Sequence, residues 1–307
     1  MSTIDERIDN HPPAAPPDER PAPDRLRRLR HLAVAAWAAA VGCLTVTDGF
    51  AFNRERLLVY ICTGLLAASI GRGRRMWYVV RDWLPFALIL IAYDLTRGAA
   101  TALGRPTLWH WQVEMDRLLF FGTVPTVWLQ ERLKLPEPPW WEVLISCVYM
   151  SFFVLPYVIA GVLWLRNRDE WKAFVRLFVA RNVAALLCYA LVPAAPPWAA
   201  ARCTPDEVAG GPSDPACNLV AAIPSLHAAL WAAIAAFLWT RVARRWRPLL
   251  VAYPLTMAFT LVYTAEHFVV DVLLGWAFAA AAVLAIGRYQ RLRGRPAAPG
   301  PTPAPAD

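Results

Sequence analysis

The sequence predicts an all-α protein, a polytopic membrane helical bundle with about eight transmembrane helices and short interfacial helices on its outer face. Of its 307 residues, 58% are hydrophobic, and they are gathered in runs of about 20 residues, the length that an α-helix needs to cross a bilayer. The formal net charge of +8 comes mainly from Arg residues at the ends of these runs, a placement typical of membrane topology. We therefore expect a lipid bilayer around the chain and no nucleic-acid partner.

Both ends of the chain differ from its apolar middle. Residues 1–24 and 296–307 are polar and rich in proline, so both tails are expected to be disordered. The first tail also lacks the short apolar region of a cleavable signal peptide. A single transmembrane domain is predicted between the tails, over residues 25–295.

The predicted spans and the Arg clusters between them define a topology. The spans cover residues 31–51, 55–71, 80–98, 141–165, 173–193, 223–240, 248–265 and 267–287. Arg-rich segments, which mark cytoplasmic ends, lie at residues 25–30, 72–81, 166–176, 241–247 and 288–295. Both termini are then cytoplasmic in a multi-pass protein of the plasma membrane, and the sixth and eighth spans begin at the outer face.

Two outer segments interrupt the spans. Residues 107–134 mix aromatic, aliphatic and polar side chains around a break at residues 122–125, which predicts two short interfacial helices. They form either a packing lid over the bundle or a surface that guides lipids. Residues 194–222 are rich in Pro and Gly and are predicted to be a loop. In that loop, Cys203 and Cys217 are expected to form a disulfide, with two inert thiols as the alternative.

Ionisable residues stand at the start of two otherwise apolar helices, where they are costly and therefore usually functional. His267 and Asp271 are spaced i, i+4, so in a helix the carboxylate can accept one imidazole N–H and leave the other nitrogen free to attack phosphorus. His227 can protonate the departing oxygen. Pro224 and Ser225 open the helix of His227, and a capped helix N-terminus is an anion site. These residues predict phosphoryl transfer, with a phosphate between the two histidines.

Two other interpretations of the same residues remain open. The first is hydrogen bonding between helices, which polar residues in membrane spans often supply. The second is a metal site made from Glu266, His267, Asp271 and His227. Adjacent helix positions such as Glu266 and His267 point about 100° apart, which disfavours shared coordination. We expect no metal and no cofactor.

The two motifs carry a family resemblance. Pro-Ser-x-His at residues 224–227 and His-x-x-x-Asp at residues 267–271 resemble the second and third signatures of the type 2 phosphatidic acid phosphatase superfamily, whose members form a phosphohistidine intermediate. The resemblance implies His267 as nucleophile, Asp271 as its partner and His227 as the leaving-group acid. The catalytic core is then expected at residues 141–288.

The chain departs from the plain phosphatases of that superfamily. Their first motif, K-x6-R-P, is incomplete because Gly98 occupies the lysine position before Arg105-Pro106, and Thr260-Leu261 stands where the third motif has Ser-Arg. This pattern is more similar to the lipid phosphotransferase branch, which includes inositol phosphorylceramide synthase and the sphingomyelin synthases.

A phosphate needs cationic partners, and these departures leave other arginines to supply them. Arg97 is the first candidate because Tyr93 and Asp94 lie one turn before it, although a structural Asp94–Arg97 pair is the alternative. We group Ser225, Arg97, Arg105 and Tyr93 as substrate-binding residues. Arg181 lies in the inner half of its span and is expected to snorkel to the inner interface.

The resemblance implies an integral membrane lipid phosphotransferase or phosphatase that works through a phosphohistidine at the outer face. A phospho-headgroup such as inositol phosphate would move from a phospholipid or lipid phosphate to a lipid acceptor. One alternative is a simple lipid phosphate phosphatase of the phosphatidic acid or polyprenyl phosphate type. The other is a lipid transporter without catalysis, which would show an inverted internal repeat. The oligomeric state is not predicted.

Overall fold

The computed structural model of the protein describes residues 23–51, 53–97, 107–198 and 222–293. Within these ranges every regular element is a helix and no strand forms, which confirms the predicted all-α class. The helices are α1 (Asp24–Asp48), α2 (Arg54–Ser69), α3 (Arg75–Arg97), α4 (Trp111–Leu119), α5 (Pro125–Leu133), α6 (Trp140–Arg166), α7 (Arg168–Leu191), α8 (Leu226–Leu238), α9 (Arg247–Tyr263) and α10 (Val269–Arg293), with a 3-10 turn at Arg244–Trp246.

Four of the described helices are long and apolar enough to cross a membrane, namely α1, α6, α7 and the part of α10 that ends at Tyr289. Helix α8 is apolar but has 13 residues, while α2 and α9 have 16 and 17. All three are shorter than the about 20 residues that a perpendicular span needs. The predicted membrane helix bundle is confirmed in this coarser form, and the number of transmembrane helices stays a prediction.

The chain forms two compact units, Met1–Ala87 and Leu88–Asp307. In the first unit, α1 and α2 pack closely because Gly64 leaves room for the ring of Trp37, where a Cβ would lie 2.8 Å from the indole. The indole N–H of Trp37 donates to the carbonyl of Tyr60 at 2.9 Å. The single domain predicted over residues 25–295 stays a prediction.

The second unit is built around α8 and α10, which lie side by side and begin at the same end. The backbone N–H of Ser225, just before α8, donates to the carbonyl of Asp271 in the first turn of α10 at 3.1 Å. A Cβ at Gly275 would lie 2.6 Å from the Ser225 carbonyl oxygen and 3.3 Å from the Cβ of Ala228. Small residues therefore allow the two backbones to approach closely, as in other membrane helix pairs.

Two short helices, α4 and α5, are present where the interfacial pair was predicted, with Gly122 at φ 92° between them. Their location at the outer face stays a prediction. Both pack on the rest of the second unit through side-chain hydrogen bonds to backbone carbonyls. Gln130 of α5 donates to the carbonyl of Tyr263 at the end of α9, and Gln112 of α4 donates to the carbonyl of Ala195, each at 3.0 Å. These contacts favour the packing-lid alternative.

Several predictions fall on residues outside the described ranges. They concern the two tails, most of the loop at residues 194–222 and the disulfide between Cys203 and Cys217. The described end of that loop is tied to the bundle, because the backbone N–H of Trp198 donates to the carbonyl of Ala265 at 3.3 Å.

Candidate active site

Ser225 caps the helix that carries His227. Its backbone is extended, with φ −60° and ψ 111°, and its hydroxyl oxygen accepts a hydrogen bond from the N–H of Ala228 at 3.3 Å. The side chain is fully buried, and the backbone N–H is the one that bonds to Asp271. Ser225 therefore fixes the start of α8 against α10, while its predicted contact with substrate stays a prediction.

Aromatic rings from α6 surround His227. The centroid of the Phe152 ring lies 3.9 Å from that of the imidazole. Tyr149 stacks at 5.4 Å with an interplanar angle of 22°, and Phe153 meets the imidazole edge-on at 6.1 Å. The general-acid candidate thus lies in an apolar wall that restricts where its nitrogens can meet a ligand.

His267 and Asp271 lie together, but not in the way that the sequence suggested. We expected both on one helix face, whereas α10 begins at Val269 and His267 precedes it. The turn that enters α10 brings Nδ1 of His267 within 3.5 Å of Oδ2 of Asp271. The separation is long for a hydrogen bond, and both side chains are buried, with His267 6% and Asp271 0% exposed.

The two predicted histidines are adjacent in space. Their ring centroids are 5.7 Å apart, and the rings meet edge-on at 61°. His227 comes from the first turn of α8 and His267 from the turn before α10, so the parallel packing of these helices brings the rings together. One phosphoryl group can reach both rings, which is the geometry that a nucleophile and a leaving-group acid require.

The turn between α9 and α10 fixes the backbone position of His267. It closes α9 in a Schellman arrangement, since the N–H of Glu266 donates to Leu261 at 3.0 Å and that of Ala265 donates to Val262 at 3.3 Å. Ala265 takes the left-handed position, with φ 60°, where glycine is usual. The N–H of His267 also donates to Leu261, at 3.1 Å. His267 is therefore held by the end of one helix and the start of the next.

Glu266 adds a second carboxyl beside His267. Burial raises the pKa of Glu266, while the neighbouring His267 and a hydrogen bond from Trp198 act in the opposite direction. Among the described residues, no group of three or more His, Cys, Asp or Glu side chains is arranged to hold a metal ion.

Arg181 corrects one expectation from the sequence. Instead of snorkelling to the inner interface, its side chain is 1% exposed. Its guanidinium donates to the carbonyl of Leu226 at 3.1 Å and to the side-chain oxygen of Asn182 at 2.7 Å. The carbonyl of Leu226, in the first turn of α8, lies beside the middle of α7 and within reach of Arg181. Arg181 thus supports the residue that precedes His227.

Sequence reasoning missed several residues that contact this site, and it placed others where the structure does not test them. The aromatic wall was visible only as a cluster in an apolar span, and Asp116 of α4 gave no signal beyond an acidic residue in an amphipathic segment. The predicted phosphate ligands Tyr93, Arg97 and Arg105 lie outside the residues whose side chains are described.

Comparisons with known proteins identify the family to which this chain is similar. The family model of the PAP2 superfamily matches residues 110–285, a range that includes both histidine motifs. The phosphoinositol dihydroceramide synthase of Bacteroides thetaiotaomicron is 27% identical over 221 residues, covering 62% of this chain and 71% of that protein. No solved structure matches the chain significantly.

Proposed function

Because the chain belongs to the PAP2 superfamily and is a membrane-bound lipid phosphatase or phosphotransferase, we propose that it transfers a phospho-headgroup between lipids through a phosphohistidine. The free ring nitrogen of His267 attacks phosphorus of the donor lipid and forms an N–P bond. The P–O bond to the lipid alcohol breaks as His227 donates its proton to the departing oxygen.

The second half of the reaction returns both histidines to their starting states. An acceptor hydroxyl attacks phosphorus, His227 takes the hydroxyl proton, and the N–P bond breaks. Asp271 orients the imidazole of His267 and stabilises the positive charge that the ring gains in the intermediate. The observation that carries this proposal is the 5.7 Å separation of the two imidazole rings beside Asp271.

Two features favour transfer to a lipid alcohol over hydrolysis. Leu261, a fully buried apolar residue, occupies the position where the third motif of the phosphatases has an arginine. This position therefore carries no cation. The wall of Phe152 and Tyr149 against His227 limits access of water to the group that would activate it. The relative from Bacteroides thetaiotaomicron is named a phosphoinositol dihydroceramide synthase, and inositol phosphate is our first candidate for the transferred group.

The active site is proposed to face the outside of the plasma membrane. The support is the charge pattern of the sequence, because the Arg-rich segment at residues 241–247 follows α8 at the end opposite to His227. Both chain termini are then cytoplasmic.

The test uses purified protein in detergent with two labelled donors. One is phosphatidic acid with labelled phosphate, and the other is inositol-labelled phosphatidylinositol supplied with dihydroceramide. We expect label to move from the second donor to the acceptor lipid, and we expect His267→Gln to abolish this transfer while the protein stays monodisperse. Release of inorganic phosphate from the first donor, with no transfer from the second, would make the protein a lipid phosphatase. Full activity of His267→Gln would overturn the mechanism.

A further inference from the structure

We propose that Asp116 of α4 is a positioning residue for the reaction, because its carboxylate caps the helix that holds Asp271 and thereby sets the contact between Asp271 and His267. The role in turnover rests on the proposed function, whereas the capping role stands on the contacts alone. Asp116 is fully buried, which is expensive for a carboxylate unless both oxygens find donors.

Each carboxylate oxygen of Asp116 accepts one hydrogen bond, and both donors belong to the first turn of α10. Oδ2 of Asp116 accepts a hydrogen bond from the backbone N–H of Val269 at 3.0 Å, and Oδ1 accepts one from Val270 at 2.9 Å. These are two of the four N–H groups that the start of an α-helix leaves without a partner in the helix. A negative charge at this end is also stabilised by the helix dipole.

A cap from a distant segment is needed because the local residue cannot provide one. The position before α10 is Phe268, which has no side-chain acceptor, whereas Ser, Thr, Asp or Asn usually stands there. The other half of a capping box is present, since Oδ2 of Asp271 accepts from the N–H of Phe268 at 3.0 Å. Asp116, 153 residues before Val269, instead supplies acceptors for the first two N–H groups of the helix.

This arrangement connects the cap to the chemistry through a single oxygen atom. Oδ2 of Asp271 contacts both the N–H of Phe268 and Nδ1 of His267, at 3.0 and 3.5 Å. If Asp116 is lost, the N–H groups of Val269 and Val270 lack acceptors. The carboxylate of Asp271 lies in the same turn and can accept from these N–H groups instead. A shift of Asp271 toward those groups would weaken its hold on His267. The turnover number should suffer more than substrate affinity, because Asp116 acts through Asp271.

The electrostatics of Asp116 agree with this geometry. Burial raises the pKa of Asp116, as does the charge of Asp271, while the hydrogen bonds from Val270 and Val269 lower it. The two N–H groups therefore offset part of the cost of burying the carboxylate. An amide in its place keeps the shape of the side chain but faces one of the two N–H groups with a donor.

The experiment compares two carboxylate-to-amide substitutions on the same short helix. Asp116→Asn removes one acceptor from the cap, and Glu114→Gln changes an exposed carboxylate that pairs with Arg117 at 3.0 Å. We expect Asp116→Asn to lower kcat about 10- to 100-fold, the effect of losing one hydrogen bond to a charged group, with KM within about twofold of wild type. Glu114→Gln should keep both constants.

Hydrogen–deuterium exchange gives a readout that does not need turnover. Asp116→Asn should exchange faster at residues 268–271 than wild type, with the far end of α10 unchanged. If Asp116→Asn is not monodisperse, Asp116→Glu takes its place, since it keeps the acceptors and misplaces them by one methylene. A wild-type kcat, a loss confined to KM, or unchanged exchange at residues 268–271 would each overturn the proposal. A wild-type protein inactive on both donors would instead refute the proposed function, and exchange would still test the cap.

Discussion

At the scale of single residues, the surroundings of His227 matter as much as its position. An imidazole that acts first as acid and then as base must contact the oxygen of the lipid alcohol. Its surroundings must keep water out of the position that this oxygen occupies. The ring of Phe152 lies closest to the imidazole of His227, with 3.9 Å between centroids, and Tyr149 also stacks on this imidazole. In the proposed transfer reaction, these side chains shield the imidazole from bulk water and so favour a lipid hydroxyl as acceptor.

Replacing Phe152 with Ala should therefore change the fate of the intermediate. Loss of the ring opens space for water beside His227, so we expect the hydrolysed fraction of the donor to rise several-fold while transfer to the acceptor falls. The measurement is the ratio of free inositol phosphate to labelled acceptor lipid. Phe259→Ala removes an exposed ring of α9 and serves as the control. An unchanged ratio in Phe152→Ala would show that the ring does not exclude water.

At the scale of helices, the site depends on how closely α8 and α10 approach. Gly275 lies one turn after Asp271 and faces the carbonyl of Ser225, the residue that caps the helix of His227. The distance between the two histidine rings is thus set partly by a residue that contacts neither ring.

The substitution Gly275→Ala should separate the two helices. Its Cβ would lie 2.6 Å from the Ser225 carbonyl oxygen, a backbone atom that cannot move without shifting the start of α8. We expect kcat to fall at least about tenfold and the Tm in detergent to drop, because overpacking costs about 1–3 kcal/mol. Gly287→Ala, on the same helix with no atom within 4 Å of the added Cβ, should keep activity and equal or exceed the wild-type Tm. Equal behaviour of the two variants would contradict the close-packing argument.

Helices and chemistry were predictable from the sequence to different extents. Apolar runs predicted most helices, and Pro224 and Ser225 predicted the capped start of α8, but the run at residues 267–287 did not reveal that α10 begins after Phe268. The start of α10 depends on two capping bonds from Asp116. The residue types and spacing identified His227, His267 and Asp271 as candidates. Asp116 escaped notice and the prediction for Arg181 was wrong because their contacts, to Val269 and Leu226, join distant parts of the chain.

At the scale of the whole molecule, the distribution of charge predicts the orientation that the proposed function needs. The Arg-rich segments alternate along the sequence with segments that contain fewer Arg residues. In the segment after α8, the guanidinium of Arg241 donates to Glu170 at 2.6 Å. Helices α8 and α10 run in the same direction from the site, so one assignment of sidedness applies to both histidines.

Labelling of single cysteines in intact cells tests that orientation. In a variant with all six native cysteines replaced, Leu135→Cys between α5 and α6 should react with a membrane-impermeant maleimide. Arg245→Cys, between α8 and α9, should react only after lysis, because Arg-rich ends stay in the cytoplasm. Both variants must label after lysis for the comparison to hold. The reverse pattern would place the site on the cytoplasmic side.

The shortness of α8 also bears on how the enzyme meets its substrates. Its 13 residues rise about 20 Å, against about 30 Å for the hydrocarbon layer. In the proposed orientation its far end lies near the cytoplasmic Arg cluster, so the His227 end lies beneath the opposite lipid surface. Donor and acceptor lipids then reach the site by diffusing in the plane of the membrane. Their mole fraction in the bilayer, and not their bulk concentration, determines how often they meet. Diluting the substrate lipids with inert ones should slow turnover even when the amount of each lipid per millilitre is constant.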